Sequence, residues 1–255
     1  MTRSDARTDG GDGDESEFGG EGESDRRTLV LLMPADAVKA TVTLQSLLSS
    51  ASFRERYDPR VVVDGASGRL VDALRRRGVR YAVADDPSSP AGDVAAVTDD
   101  EESFAYLVSC GWTKLIPGDV IEMPEVAALN CHGSYLPDYR GPAMHRVQWA
   151  NGKRWGGASV HFLTEEFDDG RILCRDRFKI GLFDTPKDIL WRSAETTATL
   201  LREALLLVED GYEGIENASG SYYSLAEWRT VLVRGAVNRA LWALGSDARW
   251  EIPPE

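Results

Sequence analysis

Five short, largely apolar runs, at residues 28–33, 60–63, 79–83, 103–110 and 126–131, divide the first half of this chain. A short run with little polar alternation is the pattern of a strand covered on both faces, as strands of a parallel sheet are. Residues 37–48 alternate at helical spacing behind the turn Pro34-Ala35-Asp36, with Asp36 placed as N-cap. Residues 68–78 read as a second helix, and Arg75-Arg76-Arg77 give it a basic outer face, read as solvated. Residues 88–93 form a Pro/Ser/Gly-rich loop. This alternation predicts an α/β fold: a Rossmann-like, doubly wound arrangement with a mostly parallel twisted sheet flanked by helices. No G-x-G-x-x-G follows the first run, where Met33-Pro34-Ala35-Asp36 stands instead, so no dinucleotide cofactor is expected.

Beyond Pro142 the spacing predicts a short helix over 143–150 and strands over 155–163 and 171–180, flanking an acidic turn. A long amphipathic helix follows over 185–210 and stops at Gly211, with Ile189, Leu190, Ala194, Thr197, Leu201 and Leu205 on its packing side. A further helix lies near 226–244, and there is no internal repeat. Residues 1–27 are rich in Gly, Asp, Glu and Ser with Phe18 the sole aromatic, too polar to bury a core, and are expected to be a disordered acidic tail. The chain thus divides into that tail, a main domain over 28–211 and a helical extension over 212–255.

Acids outnumber bases 42 to 29, giving a net charge of −13, and 24 of the bases are Arg against 5 Lys. Hydrated carboxylates that keep molecules apart suit a salt-adapted protein; ordinary acidic drift is the plainer reading. Either way the negative field repels phosphate backbones, so no nucleic-acid partner is expected. No stretch nears the roughly 20 apolar residues of a membrane helix, and the N-terminus lacks an apolar signal core. The three cysteines, Cys110, Cys131 and Cys174, are widely spaced in apolar runs, which fits reduced, buried thiols of a cytoplasmic protein.

The chemistry concentrates where the fifth run ends, at Leu129-Asn130-Cys131-His132-Gly133-Ser134-Tyr135. Asn130 and His132 are two residues apart, so on a strand their side chains share one face. Residues 167–173 then bring Asp168 and Asp169 before Gly170. An amide, an imidazole and a carboxylate suit acyl transfer: a donor for an oxyanion, a proton carrier, and a group that sets the imidazole or a water. Cys131 as nucleophile is disfavoured, because strand neighbours face opposite sides. A zinc site from His132, His145 and His161 is disfavoured too, because no pair has helical i, i+4 spacing, and no metal is expected.

Three blocks in order, Asn130-x-His132, Ser134-x-Leu136-Pro137-x-Tyr139-Arg140-Gly141 and Asp168-x-Gly170-x-Ile172, resemble the signature of the 10-formyltetrahydrofolate-dependent formyltransferases. Gly152 and Gly156-Gly157-Ala158-Ser159-Val160-His161 are similar to that family's turn and following strand, and Gly111-Trp112-Thr113-Lys114-Leu115-Ile116-Pro117 to the segment lining its folate pocket. The resemblance covers residues 29–211 and is densest over 108–173. Gly133 stands where many members have Pro, and Tyr135 where many have Leu.

The resemblance implies that residues 28–211 are a formyltransferase catalytic domain using 10-formyltetrahydrofolate as formyl donor. It implies catalytic roles for Asn130, His132 and Asp168, a donor site at Trp112, Leu115, Ile116, Asp168 and Gly170, and an acceptor side at Gly133, Ser134, Tyr135, Tyr139 and Arg140. Tyr139 and Arg140 read first as loop anchors, with Arg140 also near an anionic substrate. Asp169 is read as the solvated member of its doublet, and His161 as packed on its strand. Methionyl-tRNA formyltransferases share the Arg-Gly form of the loop but carry a large C-terminal domain, where 44 residues follow Gly211 here. Purine-pathway transformylases carry a Gly-rich phosphate loop that this chain lacks. The expected acceptor is therefore a primary amine of a small molecule, with sugar-nucleotide N-formyltransferases the best fit and a homodimer left open. A formyltetrahydrofolate hydrolase and a non-catalytic folate-binding protein are the alternatives.

Overall fold

The computed structural model describes residues 26–99 and 103–255. Of the segment expected as a disordered tail, residues 1–25 lie outside the described residues. The first run becomes β1 (Arg27–Met33), and β2 (Tyr57–Val63), β3 (Tyr81–Val83), β4 (Tyr106–Ser109) and β5 (Ala127–His132) are parallel to it. β6 (Trp155–Phe162) turns antiparallel to β5, and β7 (Ile172–Lys179) antiparallel to β6. The order across the sheet is β3-β2-β1-β4-β5-β6-β7, mostly parallel as expected.

Among the described residues eight helices cross between or follow the strands: α1 (Val38–Ser49), α2 (Ala51–Arg56), α3 (Arg69–Arg77), α4 (Ala91–Val97), α5 (Gly118–Ile121), α6 (Met144–Ala150), α7 (Pro186–Glu209) and α8 (Trp228–Ala243). Successive strand residues face opposite sides. Leu29, Leu31 and Met33 therefore join Leu129 and Cys131 under Leu44, Leu74 and Leu201, from α1, α3 and α7. Val30 and Leu32 join Leu107 and Ala128 on the other face, under Val94 of α4 and Val120 of α5. Thr185 and Asp188 form a reciprocal capping box at the start of α7, and Gly211 follows its end at φ 79°. Leu190, expected among its inward positions, is only partly buried.

Several local expectations change. α2, α4 and α5 were not expected, and α4 replaces part of the 88–93 loop. Helices this short offer too few turns for a period to register. Asp36 does not cap α1, which begins behind Ala37 without a side-chain cap. Its Oδ1 instead accepts the backbone N–H of Arg69 at 3.2 Å, capping α3 across a space opened by Gly68. A side chain at Gly68 would meet the Ala35 carbonyl, and its φ of 142° also favours glycine. Among the described residues no helix is long and apolar enough to cross a membrane.

Candidate active site

The pleat of β5 puts Asn130 and His132 on the Ala128 side of the sheet, the face carrying α4 and α5. Antiparallel pairing with β6 sets His161 opposite Asn130, with a register shift at Val160/His161. The loop from β6 to β7 folds back over this face and delivers Asp168, which is buried. Two features permit that return. Gly170 passes so close to the Phe162 carbonyl that any side chain there would collide with it. Asp168 itself adopts φ 52°, a left-handed conformation that Asp tolerates better than most residues.

The polar groups of this cluster account for one another. Asp168 Oδ1 accepts from His132 Nδ1 at 3.0 Å and from Asn130 Nδ2 at 3.1 Å, while Oδ2 accepts the Gly141 N–H at 2.8 Å. His161 Nδ1 lies 2.8 Å from the Phe162 carbonyl, so that nitrogen carries the hydrogen, and Nε2 accepts from Asn130 Nδ2 at 3.0 Å. Both amide hydrogens of Asn130 are thereby engaged. His132 is enclosed by two oxygens, Asp168 at Nδ1 and the Tyr139 carbonyl 2.8 Å from Nε2, a setting in which imidazolium can donate at both ends. Burial alone would push the Asp168 carboxyl up. The charge and hydrogen bond of His132 outweigh burial and hold it well below the usual carboxylate range.

The structure therefore brings Asn130, His132 and Asp168 together, and adds His161, which the sequence reading left on its strand. The identity of His161 was visible; its approach to Asn130 needs the β5–β6 register. On the side expected to hold the donor, Leu115 and Ile116 line a cavity of about 350 Å³ with Ser88, Lys114, Pro117 and Glu165, the last on the loop that carries Asp168. Trp112 needs correction: its indole is buried in the α4/α5 core and donates to the Pro87 carbonyl at 3.0 Å, so it backs the segment and does not wall the cavity. Gly170 serves by the close approach already described.

The expected acceptor side changes more. Ser134 is fully buried, and its hydroxyl is shared between the carbonyls of Asp138 (2.9 Å) and Tyr139 (3.0 Å), so it shapes the loop and is closed to a substrate. Tyr135 lies against β6 and β7, its ring already faced by the Arg175 and Arg177 guanidiniums at 4.4 and 4.0 Å. A side chain at Gly133 would come within 3.3 Å of Ser193 Oγ, so there is less room there than expected. Tyr139 contributes its carbonyl, at φ 62°, while its ring stacks on Tyr223 at 4.9 Å. Arg140 is an anchor, pairing with Asp169 at 2.7 Å and donating to the carbonyls of Asn217 and Ala218.

Those last contacts belong to a strap from the C-terminal extension that sequence reasoning missed. Ile215 bridges to Ile172 at the start of β7, Tyr139 N–H donates to Ser221 Oγ at 3.0 Å, and Tyr223 N–H donates to the Arg140 carbonyl at 3.0 Å. Asn217 donates to the carbonyls of Asp168 (2.8 Å) and Gly170 (3.1 Å). Past the strap, α8 packs on α6, with Asn238 donating to the Ala150 carbonyl at 2.6 Å.

Known proteins share this architecture. The sequence model of the formyl transferase family matches residues 89–205. GDP-perosamine N-formyltransferase of Brucella melitensis is 29% identical over 164 residues, covering 63% of this chain and 61% of its own length. The match thus spans about six tenths of that relative. Glycinamide ribonucleotide transformylase 1 of Symbiobacterium toebii superposes with a TM-score of 0.61 at 22% identity, over 74% of this chain and 90% of its own. An N-formyltransferase of Helicobacter canadensis, solved with folinic acid and dTDP-3-aminofucose, superposes with a TM-score of 0.57 at 14% identity, over 86% and 82%. At these identities the two superpositions carry the fold alone.

Proposed function

We propose that this chain, whose residues 89–205 match the formyl transferase family, moves the formyl group of 10-formyltetrahydrofolate onto a primary amine of a small molecule, an amino-sugar nucleotide being the favoured acceptor. The observation that carries this reading is the convergence of Asn130, His132 and His161 on the buried Asp168 carboxylate. In the reaction the amine attacks the formyl carbon, the carbonyl oxygen takes up negative charge, and collapse breaks the bond from carbon to N10. The amine loses a proton and N10 gains one, so one shuttle serves both ends. His132 is suited to that task and, as imidazolium, to donating to the oxyanion. Asp168 fixes its ring and balances its charge. Substrate entry has to take over the hydrogen bond that Nε2 now makes to Tyr139. Asn130 orders Asp168 and His161, and acts as a second oxyanion donor by exchanging one of those bonds for the substrate oxygen. Groups in such roles contribute roughly 10²–10⁴-fold in rate.

The cavity beside Leu115 and Ile116 supports a donor site, with apolar walls for a flat ring and Lys114 and Glu165 at its polar edge. For the acceptor, the likeness to the GDP-perosamine enzyme favours an amino sugar, and the net charge of −13 works against tRNA. The three free cysteines suit a reducing compartment such as the cytoplasm. The test is release of tetrahydrofolate from 10-formyltetrahydrofolate with dTDP-3-aminofucose, GDP-perosamine, glycinamide ribonucleotide, charged initiator tRNA or no acceptor. Turnover confined to amino-sugar nucleotides is expected. Turnover without any amine would make the protein a hydrolase, and binding without turnover a folate-binding protein.

A further inference from the structure

We propose that Asn217, in the C-terminal strap, is a positioning residue for Asp168, fixing from outside the left-handed turn through which the carboxylate reaches His132. Asp168 sits at φ 52°, a left-handed conformation that Asp adopts more readily than most residues but that still costs more than the extended or right-handed ones. Its side chain cannot hold the turn locally, because both carboxylate oxygens are committed to Asn130, His132 and Gly141. The backbone must be held instead. Asn217 Nδ2 does so with its two hydrogens, at 2.8 Å to the Asp168 carbonyl and 3.1 Å to the Gly170 carbonyl, on either side of the bend. Among the described residues these are the hydrogen bonds those two carbonyls take. The strap that carries Asn217 is itself pinned on both sides, by Ile215 to Ile172 and by Tyr223 to Arg140, so its amide arrives at the turn already placed.

The consequence is a division of labour: Arg140 and Ser221 dock the strap, and Asn217 uses the docked strap to aim the carboxylate. Asn217→Asp keeps the shape and removes both donors; Asn217→Ala removes them without adding charge. The first readout, amide exchange by NMR, is independent of activity. The Gly141 N–H, which rests on Asp168 Oδ2, should exchange about tenfold faster in both variants, while the Tyr223 N–H, which closes the strap on Arg140, changes by less than about twofold. The second readout rests on the formyl-transfer reading and uses 10-formyltetrahydrofolate with dTDP-3-aminofucose. There kcat should fall about tenfold with KM values unchanged, and the acid limb of its pH profile should move to higher pH, because a carboxylate that loses donors is protonated more easily. Unchanged Gly141 exchange would overturn the proposal. So would a joint rise at Gly141 and Tyr223, which would make Asn217 a clasp for the strap alone. A wild-type protein without formyl transfer would refute the proposed function and leave the exchange measurement to decide on Asn217.

Discussion

Replacing Asp168 with Asn tests the site through its most heavily bonded group. The carboxylate accepts three hydrogen bonds, from Gly141 N–H, Asn130 Nδ2 and His132 Nδ1, and only 8% of it is exposed. An amide of the same shape has one accepting end. Keeping its oxygen toward Asn130 and His132 turns its NH₂ against the Gly141 N–H and leaves a buried donor without a partner, which costs about 1–3 kcal/mol. The bond from His132 also loses its charge assistance, so Asp168→Asn should destabilise the protein by about 2–4 kcal/mol at pH 7. The Asp168 pKa in the folded protein is held well below the usual carboxylate range. Its ionisation therefore stabilises the fold above the unfolded pKa of about 3.9, and that contribution is lost as pH falls from there through the folded value. Urea unfolding at pH 7, 5, 4 and 3 should show a constant gap between wild type and variant down to about pH 4, narrowing below it. Formyl transfer at pH 7 should drop by about 10²–10⁴-fold. A gap that stayed constant to pH 3, or a variant as active as wild type, would refute the assignment of Asp168 as the charged centre of the site.

Trp112→Ala should lower stability by about 3–5 kcal/mol while barely changing folate affinity, because the ring is core; Leu115→Ser, at a cavity-lining side chain 47% exposed, should do the reverse in the same unfolding and binding titrations. Cys131→Ala should keep kcat within about twofold and cost about 1 kcal/mol in unfolding free energy, since the thiol is buried in the core beneath α7; loss of activity with a stable fold would revive the nucleophile reading. With a net charge of −13, self-repulsion should be screened by salt, so Tm should rise as KCl is taken to about 1 M; a steady fall would count against salt adaptation.

What the sequence determined by itself were features written in local spacing. Apolar runs marked the strands of the sheet, and a period of two put Asn130 and His132 on one face of β5. Gly211 marked the end of α7, and the Asp168-Asp169 doublet before Gly170 marked a turn between two strands. Each of these follows from neighbours a few residues away, which is the range over which backbone geometry repeats. The rest belongs to the tertiary structure. His161 reaches Asn130 only through the β5–β6 register, 31 residues apart in the chain. Asp36 caps α3 and not α1, 33 residues on, and Asn217 grips the Asp168 turn from 49 residues away. Ser134, read as facing a substrate, is buried and turns its hydroxyl to the carbonyls of Asp138 and Tyr139. No periodicity records such pairings, because they depend on which segments the folded sheet lays side by side and which buried polar groups then lack a partner.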